Sequence, residues 1–352
     1  MSAIQQALMV GGASIPIVYK AMIVTQISSP YVNAYQWNDA AGFGSRYTNP
    51  GTLPAGVGRK PSFSPSGLTV GVSHTTSPYF SAYPWTDLSG FGTKIANPGT
   101  LPAGNGIGAI FSPSGASIAV AHITSPAVSV YPWNDATGFG TKHTNPGTVP
   151  AGNGSDVAFS STGASIAVAS TSSPYIAAYP WNDVTGFGTK HTNPGTLPTG
   201  QGNGIAFSPS GDSLAIAHST SPYVSVYPWD DTTGFGSKFT NPGTLPPNVG
   251  NRVAFSPSGL SIAVAHNVSP FVSVYPWDDT TGFGTKFTDP ATLPIGTGGD
   301  AQFNLAGNVI AVAHGSSPYV SAYPWSDITG FGSKFTNPGT LPTAQALGIA
   351  FN

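Results

Sequence analysis

Five histidines stand at one phase of a 48-residue spacing: His74, His122, His218, His266 and His314, with Gln26 and Ser170 at that phase in two more copies. Imidazole is a common metal ligand. One ring per copy, replaced by Gln and Ser in two, predicts strand-end histidines rather than a shared metal site. Seven carboxylates keep the same spacing: Asp39, Asp87, Asp135, Asp183, Asp231, Asp279 and Asp327. Seven residues after each comes one cation: Arg46, Lys94, Lys142, Lys190, Lys238, Lys286 and Lys334. One carboxylate per copy is far short of the roughly six to eight oxygens that calcium takes. The plainer expectation is an acceptor for turn backbone, helped by the cation nearby.

Aromatic rings form two further sets. Tyr31, Tyr79, Tyr175, Tyr223, Phe271 and Tyr319 each follow a Ser-Pro, with Ala127 at that place in the third copy. Rings beside small polar groups suit carbohydrate or protein contact, and rings of this kind also cap the ends of packed sheets. Together with the five histidines they make up the candidate ligand or partner face. Trp37, Trp85, Trp133, Trp181, Trp229, Trp277 and Trp325 each precede the repeated Asp by two residues. A residue present in every copy serves the packing all copies share, so these are expected to be wedges between sheets, structural together with the Asp set. His143 and His191 stand where other copies have Phe, Tyr or Ile, and are expected at the surface.

The elements that must position these residues follow from the repeat. Gly (45) and Pro (34) are abundant, and only 7% of residues are charged. Apolar residues at 39% recur in short alternating runs, which predicts an all-β chain with tight turns rather than disorder. One unit reads Ile205–Phe207, a Pro-Ser-Gly turn, Ser213–His218, Tyr223–Trp229 and Ser237–Thr240, giving four short strands. A four-stranded sheet cannot bury both faces alone, whereas copies packed around an axis can. The expected fold is a seven-bladed β-propeller with four strands per blade. The last residues, Gly348-Ile349-Ala350-Phe351, repeat the start of a unit. Met22-Ile23-Val24 resumes it, so residues 346–352 are predicted to pair beside Ala21–Gln26 and close the ring. Residues 17–352 form the propeller, and residues 1–16 a leader outside the repeat.

The run Val253-Ala254-Phe255-Ser256-Pro257-Ser258-Gly259, continuing to Val272-Ser273-Val274-Tyr275, resembles WD-repeat and YVTN-type propellers. The resemblance implies that the loops joining second and third strands share a face with the linkers between blades. It does not carry the WD tetrad: no Gly-His precedes the first strand, and one residue separates Trp from Asp. The leader, Ser2-Ala3-Ile4-Gln5-Gln6-Ala7-Leu8-Met9-Val10-Gly11-Gly12, resembles the opening of tailed-phage virion proteins, tail-associated ones among them.

Glu and Cys are absent, so thiolate chemistry is excluded, and no Gly-x-Ser-x-Gly or phosphate-cradling loop occurs. The blades read as interchangeable. The expected function is therefore non-enzymatic and cofactor-free: a virion structural protein on tail or capsid. Residues 1–12 would dock on other virion proteins, and the propeller would face a host-surface glycan or protein. The alternative is a cellular carbohydrate-binding or scaffold propeller. A net charge of −2 offers no nucleic-acid footprint, and no apolar run is long enough to insert in a membrane. No signal peptide is recognised, so outside a virion the compartment stays open.

Overall fold

The computed structural model describes residues 19–352, and the leader with its expected docking role lies outside them. The described residues form 28 strands in seven four-stranded antiparallel sheets. In six blades the chain runs from the inner strand outward, the fourth strand being a two-residue Gly-Phe pair such as Gly138–Phe139. The first blade is composite. Its inner strand is β28 (Ala346–Phe351), followed outward by β1 (Lys20–Gln26), β2 (Val32–Asn38) and β3 (Gly42–Arg46). Met22 pairs with Phe351, Ile23 with Ala350 and Val24 with Ile349. Each inner strand packs on the next, and Ala346–Phe351 packs on both Gly298–Phe303 and Gly58–Phe63, so the ring is closed. Closure leaves no inner sheet edge to template pairing with another chain.

The core lies between blades. Seven apolar clusters each combine neighbouring sheets, as where Met22, Val24 and Trp37 meet Val309, Ala311 and Val320. Trp37 is 1% exposed and stands edge-on to Phe43, Phe335 and Phe351. Burying such a side chain is worth roughly 2–3 kcal/mol. Its Nε1 donates to Asp39 Oδ1 at 2.8 Å, and all seven Trp-Asp pairs repeat this bond. The Asp also joins blades. Asp183 Oδ2 accepts from Ser114 Oγ of the preceding blade at 2.6 Å. The cation expected to help that Asp goes elsewhere: Lys142 and Lys190 bond Asn145 and Asn193 three residues on, and Arg46 bonds Asn49 at 2.6 Å. The Asn-Pro-Gly corner lies nearer in the chain than the Asp across the turn.

Candidate active site in the channel mouth

The inner strands face the axis, and there the blades differ. Their third position reads Lys60, Gly108, Asp156, Gly204, Arg252, Asp300 and Gly348 around the ring. The second position reads Arg59, Ile107, Ser155, Asn203, Asn251, Gly299 and Leu347. Between the first and third positions the ladder skips a residue, as at Gly154/Asp156, Gly202/Gly204 and Gly250/Arg252. Such a bulge re-aims the skipped side chain. It brings Ser155, Asn203 and Asn251 to one mouth of the channel and leaves the third position as a belt beneath.

The belt carries charge. Lys60 Nζ lies 2.8 and 3.0 Å from the two oxygens of Asp156, across the gap that Gly108 leaves. Arg252 Nε is 3.9 Å from Asp156 Oδ2, and its Nη1 donates to the carbonyls of Asn203 and Asn251. Asp156 is 1% exposed and also accepts from the backbone NH of Val157 and Ile205. Asp300 is fully buried with no ion pair within 4 Å among the described residues. It accepts instead from Ala301 N at 2.9 Å, Gln302 Nε2 at 3.0 Å and Ile349 N at 3.1 Å. Burial pushes its carboxyl above the ordinary range, against the pull of Arg252 and Lys60.

Above the belt opens a cavity of about 470 Å³. Arg59 and Arg252 enter it as the charged groups. Amides come from Gln201, Asn203, Asn251, Asn267 and Gln345, and hydroxyls from Ser155, Ser219 and Thr297. Asn203 Nδ2 donates to Gly250 O at 2.9 Å, and Asn251 Nδ2 to Asn267 Oδ1 and Gly298 O at 2.6 Å each, which fixes both amides. Neither a histidine nor a carboxylate is among the lining residues. The opposite mouth is a cavity of about 330 Å³ walled mainly by Phe63, Phe159, Phe207, Phe255, Phe303, Phe351 and aliphatic residues, with Lys60, Ser62 and Gln302 among its lining, so it is the more apolar end of the channel.

The residues singled out from the sequence fall around this mouth rather than in it. His74, His122, His218, His266 and His314 are fully buried, each with Nε2 3.0 Å from a serine hydroxyl on the neighbouring strand. Burial lowers each to a pKa of about 4. Tyr31, Tyr79, Tyr175, Tyr223, Phe271 and Tyr319 are half-buried, with φ between 66° and 70° after the Ser-Pro, and none lines the cavity. Their backbone is what the neighbours use: Tyr31 O accepts from Gln26 N at 3.0 Å, and Tyr79 O from His74 N at 2.9 Å. Ala127, at the same position, is fully buried. His143 and His191 are half-buried and stand edge-on to Trp181 and Trp229 of the next blade, filling the place of Phe239 against Trp277. Among the described residues no cluster of three His, Cys, Asp or Glu could hold a metal ion. The groups missed from the sequence are Arg59, Lys60, Asp156, Arg252 and Asp300. For the last four the signal was one phase of the repeat that holds only charged residues and glycine; Arg59 stands one residue earlier, at a phase of mixed residue types.

No protein-family model and no curated protein matches the sequence. Solved structures do. A candidate 6-phosphogluconolactonase from Bacteroides fragilis is similar at a TM-score of 0.74 and 13% identity, over 95% of this chain and 98% of that one. A second, from Bacteroides uniformis, is similar at 0.73 and 15%, over 95% and 99%. The periplasmic gluconolactonase of Pseudomonas aeruginosa is similar at 0.70 and 16%, over 95% and 98%. At such identities the likeness shows the propeller fold. The three structures named are lactonase-type propellers rather than WD-repeat proteins in particular, and nothing in the likeness supports a phage tail protein. The expectation of a non-enzymatic virion, lectin-like or scaffold module is thereby corrected: the three similar propellers named above are described as gluconolactonases or 6-phosphogluconolactonases. The premise behind that expectation also fails, because the blades are not interchangeable where they face the axis.

Proposed function

We propose that this chain hydrolyses a sugar lactone, or a closely related polyhydroxylated cyclic ester, at the polar mouth of its channel. The observation that carries the reading is the pairing of two guanidinium groups, Arg59 and Arg252, with fixed amides in one cavity. The likeness to lactonase propellers supports it. Amides and hydroxyls match the alternating donors and acceptors of a polyol. The guanidinium groups meet the lactone carbonyl, where negative charge develops as water attacks. The oxygen of water bonds to the carbonyl carbon, the ring C–O bond breaks, and the ring oxygen leaves as a hydroxyl with one of the water protons. The product acid then gives its remaining proton to solvent. A lactone is an activated ester, so polarisation of the carbonyl can drive this reaction without a general base at the mouth. One such donor is worth on the order of 10²–10³ in rate.

The test is proton release from glucono-δ-lactone and from its 6-phosphate ester, followed at constant pH against spontaneous opening. Catalysed opening of at least one is expected, with Arg252→Gln slowing it about 100-fold. Opening no faster than in buffer for both esters would overturn the reading.

A further inference from the structure

We propose that Arg59 and Arg252 form a seat for the carboxylate of a polyhydroxy acid, so that the mouth holds the ring-opened acid in its own right. The choice of a polyol as the body of the ligand rests on the proposed lactonase reading; the seat itself rests on charge and geometry. Three cations, Arg59, Lys60 and Arg252, share the channel with two carboxylates, Asp156 and Asp300. Asp156 is taken by Lys60 and Arg252. Asp300 is satisfied by two backbone NH groups and Gln302. Arg59 has no ion pair among the described residues, and its Nε is buried without a hydrogen-bond partner. Burial and the neighbouring charge of Arg252 both pull Arg59 below the ordinary guanidinium range, so the two like charges are close enough to oppose each other.

One unbalanced positive charge, set beside the fixed amides of Asn203 and Asn251, calls for a monoanion. A carboxylate is a monoanion with the planar geometry a guanidinium holds through two parallel bonds. A phosphate monoester near neutral pH carries closer to two charges and would overcompensate the channel. The seat also accounts for both states of one ligand, since the lactone carbonyl oxygen becomes one of the two carboxylate oxygens after ring opening.

The experiment is calorimetric titration at fixed ionic strength with sodium gluconate, sorbitol and glucose 6-phosphate, on the whole chain and on Arg59→Gln and Arg59→Lys. Gluconate is expected to bind the unsubstituted chain at least tenfold more tightly than sorbitol. Arg59→Gln should erase that advantage, and Arg59→Lys should keep part of it. Without ligand, Arg59→Gln should melt no lower than the unsubstituted chain, because it removes a half-buried charge that Arg252 opposes; gluconate should raise the melting temperature of the unsubstituted chain, that of Arg59→Lys by less, and that of Arg59→Gln not at all. Equal binding of gluconate and sorbitol, or unchanged gluconate binding in Arg59→Gln, would overturn the seat. Tighter binding of glucose 6-phosphate than of gluconate would move it to a phosphate ester and overturn the carboxylate. Should Arg59→Gln fail to fold, the comparison of Arg59→Lys with the unsubstituted chain decides, full gluconate affinity in it being the adverse result. Ring opening is measured separately. Arg59-dependent gluconate binding without ring opening would leave the seat and remove the lactonase reading, and ring opening without gluconate binding would do the reverse.

Discussion

Gln26 accepts from Asn33 Nδ2 at 2.9 Å in the first blade, where five others place a His-Ser pair and the fourth places Ser170 beside Ala177. The two positions change together because a fully buried donor needs its acceptor. These pairs make the fold acid-sensitive. Each histidine has a pKa of about 4 when folded, against an ordinary value near 6.5. Between those values the unfolded chain binds more protons, so stability contributed by the neutral ring is whole above about pH 6.5 and lost as pH falls toward 4. Each pair accounts for up to ~3 kcal/mol. The melting temperature is expected to fall steeply across that window, and a chain carrying His218→Gln with Ser225→Asn to fall less. An unchanged slope would remove His218 as a source. The pairing was legible in the sequence, since two phases seven residues apart change in step; its meaning was not, because only the fold shows the rings buried and away from the mouth.

Among elements, the turn between the first two strands of each blade fastens to the Asp of the next. Ser66 bonds Asp135, Ser114 bonds Asp183, Ser210 bonds Asp279 and Ser258 bonds Asp327, while Thr162 serves Asp231 and Asn352 serves Asp87. The seventh junction lacks the hydroxyl, because Ala306 stands at that phase, and among the described residues Asp39 keeps only its Trp37 bond. Ala306→Ser is expected to supply the missing fastening and stabilise the chain by ~0.5–1 kcal/mol, read as a shift in the urea midpoint at unchanged slope. No shift would mean that the junction holds without it. The 48-residue spacing made the Trp wedges and the blade edges readable at this scale. The inner strands were less readable. Their apolar positions, such as Ala109, Val157 and Ile205, keep the repeat, whereas Lys60, Asp156, Arg252 and Asp300 break it and look like scattered substitutions until the ring brings them to one axis.

At the scale of the whole molecule, the strand that closes the ring also holds the site. Ile349 N donates to Asp300 Oδ2 at 3.1 Å, and Thr25, paired opposite Gly348, donates to Arg59 O at 2.6 Å. Closure therefore meets the site on both sides, at Asp300 in the blade before the composite one and at Arg59 in the blade after it. Gly348 is a point of close approach between the closing strand and the strand that carries Arg59. A Cβ there would run into Arg59 O and lie 2.7 Å from Pro61 Cδ and 2.9 Å from Thr25 Oγ1, with backbone on one side and a proline ring on the other. Neither can move aside without shifting Arg59 and the neighbouring inner strand. Gly348→Ala is thus expected to cost about 1–3 kcal/mol and to loosen the closing strand before the other blades. Gly339→Ala is the matched control, because a Cβ there meets nothing within 4 Å. Amide hydrogen exchange separates the two outcomes. Gly348→Ala should speed exchange at Ala346–Phe351 and Lys20–Gln26 while Ser213–His218, on the far side of the ring, stays protected, and it should weaken whatever ligand the mouth retains. Equal protection in both variants would mean that the junction is slack, and that the ring does not couple its own closure to the site it encloses.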